Sequence, residues 1–329
     1  MKVAINGFGR IGRPALKIAL KKGIEVVAIN DLGDIDNLAY LLKYDSAYGV
    51  YDVDMEVKND VLKLGDNEIK VFSEKDPSKL PWGQLGVDVI LECTGVFKDR
   101  EGCQGHLSAG AKKVIISAPT KDKTIKTVVL GVNDDQIGPE DDILANASCT
   151  TNCLAPMIKV LDDKFGIEKS LMSTIHSYTS TQSLVDGPGG KDYRRGRAAA
   201  QNIAPSTTGA AIATTLTMPS LQGKFDGMAF RVPSLVGSIS DLTAILKKDV
   251  TEEDVNRAFK EATEGDFKGI METTEEALVS HDIVGNAHSV IVQLDLTKVV
   301  GGNMVKVVGW YDNEWGYANR LVELAEKIS

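Results

Sequence analysis

The chain has 329 residues, about two domains' worth at ~150 residues each, and its 43% hydrophobic and 25% charged content excludes a disordered chain. Its 46 acidic and 37 basic side chains give a formal net charge of −9, which disfavours a dedicated role in binding nucleic acids or anionic membranes. Four cysteines do not make a disulfide framework, and neither a signal peptide nor a membrane-spanning segment is predicted, so a cytoplasmic location is expected.

The first half of the chain alternates apolar, β-type runs with amphipathic segments. Strands are predicted at 2–6, 24–30, 87–91 and 113–117, and helices at 10–22 and 100–109. Strand–helix–strand units at this spacing predict an α/β protein with a doubly wound parallel sheet. Residues 44–73 carry short alternating runs and predict a small antiparallel extension.

The pattern changes after about residue 150. A helix and a long strand precede a polar, Gly-rich loop at 180–197, and more strands and helices follow it. The predicted strands are 169–178, 227–232, 237–247, 289–296 and 305–310, and the predicted helices are 151–165, 251–264 and 317–328. Thr251 is the predicted N-cap of its helix, with Asp254 as the acidic partner of a capping box. This half predicts a second, α+β domain with a mainly antiparallel sheet.

A glycine motif follows the first strand and opens the first helix. Gly7 makes a tight turn, Gly9 lets the backbone approach a pyrophosphate, and Gly12 allows close packing of helix on strand. Asp31 ends the next strand, 19 residues after Gly12, where a carboxylate accepts from ribose hydroxyls and repels a 2′-phosphate. The motif predicts binding of NAD rather than NADP. The alternative is a glycine turn with a helix-capping Asp and no ligand.

Cys149 lies in a polar segment just before an apolar helical run. The N-terminus of a helix lowers the pKa of a thiol from about 8.5 into the range of ~3.5–7.5, so a reactive thiolate is predicted. Cys153, one turn further along, is predicted to be a buried hydrophobic residue, as are Cys93 and Cys103. No second Cys or His pair completes a four-ligand set, so no metal is predicted.

The chain has four histidines. His176 falls inside the long strand among small polar residues and is the predicted proton acceptor for Cys149, with a structural core histidine as the alternative. His106, His281 and His288 are predicted at the surface. A thiol, a base and a nicotinamide cofactor together predict oxidation of an aldehyde: the thiolate adds, hydride leaves for NAD and a thioester remains.

Several segments are suited to anions, although the chain is acidic. Arg231 stands on an apolar strand, where it either pairs with a carboxylate or binds an anionic ligand. A hydroxyl-rich helix start at 206–209 is another candidate. Basic side chains cluster in the Gly-rich loop at Lys191, Arg194, Arg195 and Arg197. These features predict phosphate-bearing reactants, with a nucleic-acid role for the loop as the less favoured alternative.

Four segments, at 5–13, 146–156, 228–233 and 310–317, carry a resemblance to a known family. Over its full length the chain resembles the phosphorylating glyceraldehyde-3-phosphate dehydrogenases. The resemblance implies reversible oxidation of D-glyceraldehyde 3-phosphate by NAD, with inorganic phosphate, to 1,3-bisphosphoglycerate in glycolysis and gluconeogenesis. It also implies a homotetramer. The implied domains are a Rossmann NAD-binding domain at 1–148, completed by a C-terminal helix at 313–329, and a catalytic domain at 149–312.

The resemblance also implies roles for particular side chains. Cys149 is the implied nucleophile, with its backbone N–H helping to hold the oxyanion, and His176 is its base. Thr179 and Arg231 are implied to hold the phosphate of the substrate. The implied contacts to the attacking phosphate and its surroundings are Ser148, Thr150, Arg195, Thr208 and Gly209. The implied cofactor contacts, besides the glycine motif and Asp31, are Arg10, Ile11, Lys75, Ser117 and Asn313.

Two positions depart from the family pattern. Gly33 stands where the family commonly has Thr beside the ribose pocket, which weakens the exclusion of NADP, whereas Pro188 keeps the NAD-type pattern. Ile212 stands where the family usually carries Lys, which changes the phosphate site. Two other functions stay open: oxidation of erythrose 4-phosphate, with water in place of phosphate, and a non-catalytic NAD-binding protein that senses redox state through Cys149.

Overall fold

The computed structural model describes residues 1–190 and 192–329 and divides them into two compact units. The first unit comprises Met1–Val128, Gln136–Ala147 and Ala318–Ser329. The second comprises Val129–Asp135 and Ser148–Tyr317. Lys191, which belongs to the predicted basic cluster, lies outside the described residues.

The first unit is built around a mostly parallel sheet. The strands of this unit are β1 (Lys2–Asn6), β2 (Glu25–Asn30), β3 (Tyr44–Asp45), β4 (Gly49–Val50), β5 (Met55–Lys58), β6 (Val61–Leu64), β7 (Asn67–Phe72), β8 (Val89–Glu92), β9 (Lys113–Ile116), β10 (Lys126–Thr127) and β11 (Ile143–Ala145). Strands β3 and β4 pair with each other as a separate two-stranded sheet. Its helices are α1 (Gly12–Lys21), α2 (Ile35–Lys43), α3 (Trp82–Leu85) and α4 (Arg100–Ser108), together with most of the last helix of the chain.

The strand order of this sheet is β10-β11-β9-β8-β1-β2-β7-β6-β5. The central strands pair in parallel, and only β5, β6 and β7 add the predicted antiparallel edge. Because the chain leaves β1 towards β2 and later returns to β8 on its other side, the carboxyl ends of these strands border the crevice that ligands occupy in doubly wound sheets. The doubly wound parallel sheet is confirmed.

The second unit is built around a mixed sheet. Its strands are β12 (Ile167–Ser177), β13 (Ala204–Ser206), β14 (Phe225–Val232), β15 (Ser238–Leu246), β16 (Met271–Thr274), β17 (Val290–Gln293), β18 (Lys298–Val300) and β19 (Met304–Tyr311). Its helices are α5 (Cys149–Phe165), α6 (Ala210–Thr217) and α7 (Glu252–Glu264), and α8 (Trp315–Ile328) begins here.

The second sheet runs β13-β14-β12-β15-β19-β17-β16, with β18 paired to β19. Most neighbours are antiparallel, as predicted, but β12 pairs in parallel with β14 and β16 with β17. Helix α5 packs its apolar side into the core, where Met157 and Leu161 are fully buried together with Phe259 of α7. The α/β fold class with a second α+β unit is therefore confirmed.

Helix starts follow from side-chain caps. The side chain of Ser148 accepts a hydrogen bond from the Thr151 backbone N–H at 3.1 Å, so α5 begins at Cys149 rather than at the predicted residue 151. Thr251 and Asp254 form the predicted capping box of α7.

Across residues 1–190 and 192–329, no helix combines the length and the apolar content needed to cross a membrane.

Candidate active site

The predicted nucleophile, Cys149, is the first residue of α5. Its thiol is half-buried at the helix N-terminus, where the first N–H groups of a helix have no partner within the helix. The Ser148 hydroxyl caps this turn and also lies 2.8 Å from the Thr151 hydroxyl. The Asn152 side-chain amide donates to the Ser148 carbonyl at 3.0 Å. The cap therefore holds the cysteine backbone in one conformation.

The imidazole of His176, on β12, lies beside this thiol. The distance from Cys149 Sγ to His176 Nε2 is 3.4 Å, and the imidazole is buried. On the other side of the ring, Nδ1 is 2.7 Å from the Ser177 carbonyl oxygen. The Ser177 carbonyl can accept from Nδ1–H, which leaves the Nε2 lone pair towards the sulfur, as a general base needs. Arg231 Nη1, which can only donate, competes for the same Nδ1.

Strand pairing brings Arg231 to the same imidazole. In the parallel pair of β12 with β14, His176 is the register partner of Arg231. Arg231 Nη1 lies 2.6 Å from His176 Nδ1 and donates to the Ser177 carbonyl at 2.9 Å. Among residues 1–190 and 192–329, no carboxylate forms an ion pair with Arg231. Of the two predicted alternatives for Arg231, the anion-binding one is therefore favoured.

The electrostatics of the pair differ from the sequence prediction. Burial raises the pKa of the Cys149 thiol, and the Arg231 cation and the hydrogen bonds of the first helical turn offset this only in part. The predicted lowering of the thiol pKa is therefore wrong, because loss of water around the sulfur outweighs the helix N-terminus. Burial, followed by the charge of Arg231, lowers the pKa of His176 from 6.5 to about 3. The resting pair is thus a neutral thiol and a neutral imidazole.

Tyr311, at the end of β19, lies beneath the pair and was assigned no role from the sequence. Its hydroxyl is 3.0 Å from the Thr150 hydroxyl and 2.8 Å from the Thr174 hydroxyl. Its ring meets the His176 ring edge-to-face, with centroids 5.9 Å apart. Tyr311 therefore ties the first turn of α5 to β12. No local pattern indicates this, because the partners of Tyr311 lie on two other elements, α5 and β12.

The predicted phosphate contacts lie along the same part of the second unit. Arg195 donates from Nε and Nη2 to the Ser206 hydroxyl at 3.2 and 3.1 Å. Burial lowers the pKa of Arg231, whereas Cys149 and Tyr311 raise it. The charge of Arg195 lowers it further, so the two guanidinium groups are close enough to interact electrostatically. Ser206 ends β13, which pairs with β14 so that Ala204 is opposite Arg231.

Thr208 and Thr179 make local contacts. The Thr208 hydroxyl accepts from the Ala210 N–H at 3.1 Å at the start of α6, where Gly209 is the N-cap. Thr179 follows β12, and its hydroxyl is 3.0 Å from the Thr181 hydroxyl. In the part of the chain that the structure describes, no hydrogen bond joins these two threonines to Cys149 or His176.

A separate cavity of about 460 Å³ lies in the first unit, at the carboxyl ends of β1, β2 and β8, and its volume is within the range of small-molecule sites. It is lined by Asn6, Gly7, Gly9, Asn30, Asp31, Leu32, Glu74, Lys75, Cys93, Thr94, Val96 and Phe97. Four predicted cofactor contacts, Gly7, Gly9, Asp31 and Lys75, are among them. The cavity therefore gathers Asp31, the predicted ribose-binding carboxylate, and the first two glycines of the motif.

The glycine motif fits a dinucleotide. Gly7 has φ +92°, and a Cβ there would lie 2.5 Å from the Thr94 backbone nitrogen. A Cβ at Gly12 would lie 2.2 Å from the Gly7 carbonyl oxygen, so only glycine lets α1 pack this close to the loop. Nothing lies within 4 Å of a Cβ built at Gly9, which leaves its backbone open to a ligand. These are the three roles predicted for the motif.

Asp31 is held in place by backbone donors. Its Oδ2 accepts from the Phe8 N–H at 2.7 Å and its Oδ1 from the Gly33 N–H at 2.8 Å. Each carboxylate oxygen keeps a further lone pair for a ribose hydroxyl. A Cβ at position 33 would lie 3.2 Å from Asp31 Oδ1, so Gly33 leaves the carboxylate unhindered.

The other predicted cofactor contacts are placed differently. Arg10 pairs with Asp45, with Nη1 and Oδ2 2.6 Å apart, and Ile11 immediately precedes α1. Burial raises the pKa of the Cys93 thiol, which lines the cavity, and the neighbouring Ser117 side chain acts in the opposite direction. Asn313 belongs to the second unit, where its Oδ1 accepts from the Gly237 N–H at 3.1 Å and from the Ser238 hydroxyl at 2.9 Å.

Two predictions about side chains outside the site are wrong. His106 is completely buried rather than exposed, because Trp82 and Glu92 supply its polar partners. Cys93 is partly exposed at the cavity rather than buried. Cys103 and Cys153 are buried, as predicted. His281 is exposed, and His288 is half-buried 3.1 Å from Glu272.

Comparisons with known proteins agree over the whole chain. Residues 1–100 match the family model described as glyceraldehyde 3-phosphate dehydrogenase, NAD binding domain, and residues 148–313 match the one for the C-terminal domain of the same family. The glyceraldehyde-3-phosphate dehydrogenase of Streptomyces coelicolor is 52% identical, over 98% of this chain and 97% of its own length.

Two further relatives show the same extent of similarity. The enzyme of that name from Priestia megaterium is 53% identical over 100% of this chain and 98% of its own. The glyceraldehyde-3-phosphate dehydrogenase 1 of Kluyveromyces lactis is 50% identical over the full length of both chains. With both family models matched and half of all residues identical from end to end, the chain belongs to the glyceraldehyde-3-phosphate dehydrogenase family.

Proposed function

We propose that the chain catalyses the reversible, NAD-dependent oxidative phosphorylation of D-glyceraldehyde 3-phosphate to 1,3-bisphosphoglycerate, the reaction of glycolysis and gluconeogenesis. The observation that carries the proposal is the 3.4 Å distance between Cys149 Sγ and His176 Nε2, with the Arg231 guanidinium against the same imidazole. Family membership supplies the substrate, inorganic phosphate and the cofactor.

The first step is proton transfer coupled to attack. His176 Nε2 takes the thiol proton while Cys149 Sγ forms a bond to the aldehyde carbon, and the carbonyl π electrons move to oxygen. The backbone N–H groups of Cys149 and Thr150 point towards the sulfur, at the helix N-terminus where negative charge is stabilised. The imidazolium then returns the proton to the oxyanion, so the product of this step is a neutral hemithioacetal on Cys149.

When bound, NAD supplies the two-electron oxidation that turns the hemithioacetal carbon into a thioester carbon. His176 accepts the proton that leaves the hemithioacetal hydroxyl. An oxygen of inorganic phosphate then attacks the thioester, the carbon–sulfur bond breaks, and the sulfur leaves as a thiolate that recovers a proton from His176. The acyl phosphate is released and Cys149 is regenerated.

Cationic and hydroxyl groups of the second unit hold the two phosphates in this proposal. Arg231 and Thr179 bind the phosphate of the substrate. Arginine suits this role because its planar guanidinium makes paired, charge-assisted hydrogen bonds to phosphate. The attacking phosphate is bound by Ser148, Thr150, Arg195, Thr208 and Gly209. The support is that Arg195 and Arg231 share one electrostatic environment and that no carboxylate among the described residues neutralises Arg231.

The cavity of the first unit is the NAD site in this proposal. Gly7, Gly9 and Gly12 admit the pyrophosphate, and Asp31 accepts from the adenosine ribose. The remaining contacts are Arg10, Ile11, Lys75, Ser117 and Asn313. Dinucleotide binding is assigned to residues 1–148 with the C-terminal helix 313–329, and catalysis to 149–312.

We assign the chain to the cytoplasm and to a homotetramer. Four free thiols suit a reducing compartment. Large apolar side chains are exposed in the second unit, including Leu171, Leu184, Val185, Tyr193 and Ile203, and exposed apolar patches of this kind mark protein interfaces. Light scattering of the purified chain tests the tetramer, and a monomeric mass contradicts it.

One assay tests the reaction. NADH formation is followed by absorbance with D-glyceraldehyde 3-phosphate, with and without inorganic phosphate, and with NADP replacing NAD. We expect turnover that requires phosphate and prefers NAD. Full activity without phosphate, or activity with erythrose 4-phosphate alone, contradicts the proposal, and a chain that binds NAD without turnover supports the redox-sensing alternative instead.

A further inference from the structure

Beneath the cavity of the first unit lies a network of buried polar side chains that the proposed reaction does not use. Glu92 ends β8, Asn6 ends β1 and Asn30 ends β2, so the three meet at one edge of the sheet. His106, on α4, and Glu92 are both at most 1% exposed. Each buried polar group must find partners, so the directions of the hydrogen bonds can be assigned one by one.

At one end of this network, the backbone of Glu74 fixes the direction of the hydrogen bonds. The Glu74 N–H donates to Asn30 Oδ1 at 2.9 Å, and Asn30 Nδ2 donates to the Glu74 carbonyl at 2.9 Å. The same Asn30 Nδ2 donates to Asn6 Oδ1 at 2.7 Å. Asn6 must therefore present its own Nδ2 to Glu92 Oε2, 2.5 Å away.

At the other end of the network, Trp82 fixes the direction of the hydrogen bonds. The indole Nε1–H can only donate, and it lies 3.0 Å from His106 Nδ1, which must therefore accept. The imidazole proton is then on Nε2, 3.1 Å from Glu92 Oε2, and His106 donates to the carboxylate. His106 is neutral in this arrangement, because a second ring proton on Nδ1 would face the indole N–H.

Thr94 completes the shell around Glu92. Its backbone N–H donates to Glu92 Oε1 at 2.8 Å, and its hydroxyl donates to the same oxygen. The carboxyl group of Glu92 thus takes part in four hydrogen bonds with neutral groups. The N–H groups of Asn6, His106 and Thr94 can only donate, so all three depend on the Glu92 oxygens as acceptors.

These hydrogen bonds fix the groups that line the cavity. Asn6 and Thr94 are bonded directly to Glu92, Asn30 is bonded through Asn6, and all three line the cavity. Thr94 is also the residue against which the Gly7 turn packs, since a Cβ on Gly7 would lie 2.5 Å from its nitrogen. The position of Thr94 therefore sets the position of the phosphate-binding turn.

We propose that Glu92, oriented by His106 and Trp82, is a positioning residue that shapes this cavity for the dinucleotide before it binds. The proposal rests on the proposed function for the identity of the ligand. Preorganisation reduces the cost of ordering the site on binding, so loss of these acceptor oxygens weakens binding of NAD and leaves the chemistry at Cys149 unaffected once the cofactor is saturating.

The first test is Glu92→Gln in the full chain, with NAD binding measured by calorimetry. The new amide N–H₂ must face groups that only donate, either at Thr94 N–H or at Asn6 and His106. We expect the dissociation constant for NAD to rise about 10-fold, the size that buried unpaired donors produce. The KM for NAD rises with it, and kcat at saturating NAD is unchanged.

The second test is rescue by Trp82→Phe. Without the indole N–H, His106 can carry its proton on Nδ1, so that Nε2 becomes an acceptor for the amide introduced by Glu92→Gln. We expect the double variant to bind NAD more tightly than Glu92→Gln alone. A purely structural role predicts instead that two buried substitutions add their losses.

Controls separate the outcomes. Val114→Ala removes a buried side chain of β9 that does not line the cavity; it lowers the melting temperature, and we expect affinity for NAD to stay within about twofold. If Glu92→Gln does not fold, Thr94→Val removes the hydrogen bond between the Thr94 hydroxyl and Glu92 at an exposed residue. Weaker NAD binding by this variant supports the proposal. The proposal is overturned if Glu92→Gln or Thr94→Val binds NAD with wild-type affinity. It is also overturned if the double variant binds NAD more weakly than Glu92→Gln. A wild-type chain that fails to bind NAD contradicts the proposed function as well.

Discussion

Arg231 and His176 are register partners in one parallel strand pair, and Arg231 Nη1 lies 2.6 Å from His176 Nδ1. A permanent cation therefore rests against one side of the imidazole, while the thiol of Cys149 faces the other side. The cation disfavours a second proton on the ring, so the imidazole is neutral at rest.

Replacing this cation should change the protonation of the histidine. In Arg231→Met we expect the pKa of His176 to rise above about 3 towards its ordinary value, because one of the two causes of its lowering is removed. The KM for the phosphorylated aldehyde should rise as well. Titration of the His176 ring by NMR measures the first effect. Arg197→Met, which removes an exposed arginine paired with Asp186, is the control and should leave that titration unchanged.

The lowered pKa of His176 also makes stability depend on pH. Between about pH 6.5 and pH 3 the unfolded chain binds a proton at this residue that the folded chain does not, so acid favours unfolding. This destabilisation of the folded chain is absent above about pH 6.5 and reaches its full size below about pH 3. We expect His176→Asn to remove a slope of at most about 1.4 kcal/mol per pH unit from the free energy of unfolding in this window. Urea unfolding at several pH values measures it, and identical slopes in both chains contradict the assignment.

The same variant tests the role of the base in turnover. We expect His176→Asn to lower kcat by roughly 10²–10⁴-fold, the usual contribution of a general base, with NAD affinity unchanged. Steady-state kinetics and calorimetry on one preparation measure the two quantities. Normal turnover in this variant would show that another group accepts the thiol proton.

The nucleophile is tested by exchanging sulfur for oxygen at two positions. Cys149→Ser should abolish turnover, because a serine hydroxyl does not ionise near neutral pH as a thiol can. Cys153→Ser is the matched control, since Cys153 is fully buried four residues along the same helix. We expect it to keep its activity. Mass spectrometry after mixing with substrate and NAD, without inorganic phosphate, should detect an acyl adduct on the wild-type chain and none on Cys149→Ser.

The choice of cofactor is tested at Asp31. In Asp31→Asn the new amide nitrogen must face the N–H of either Phe8 or Gly33, both of which donate to the carboxylate. We expect NAD affinity to fall about 10-fold, as for loss of a charge-assisted hydrogen bond, while the preference against NADP narrows. Binding of both dinucleotides by calorimetry gives the ratio. A ratio equal to that of the wild type would locate the discrimination elsewhere.

Features with local causes could be predicted from the sequence. The helix beginning near Cys149 follows from a capping serine and an apolar run, and the position of His176 on a strand follows from its neighbours. The capping box of Thr251 is of the same kind. Each depends on residues within a few positions along the chain.

Features with distant causes could not be predicted. His106 lies among glycine and polar residues on α4, and nothing nearby indicates burial, because its partners Glu92 and Trp82 are 14 and 24 residues away. The predicted direction of the Cys149 pKa shift was wrong for a related reason. A helix terminus can be recognised from the sequence, but the water excluded around Cys149 depends on tertiary packing. A polar residue ending each of three apolar strands, as at Asn6, Asn30 and Glu92, was the available signal for the buried network.

The last helix of the chain belongs, from Ala318 onwards, to the unit that the first residues begin. Leu321 and Leu324 are fully buried there, and Glu326 bonds to Lys22 at 2.9 Å. During synthesis these residues leave the ribosome after residues 1–317, so the first unit cannot complete its core until residues 318–329 have emerged. A nascent chain stalled before residue 318 should accordingly remain open to proteases in its earliest residues, even though they emerged first.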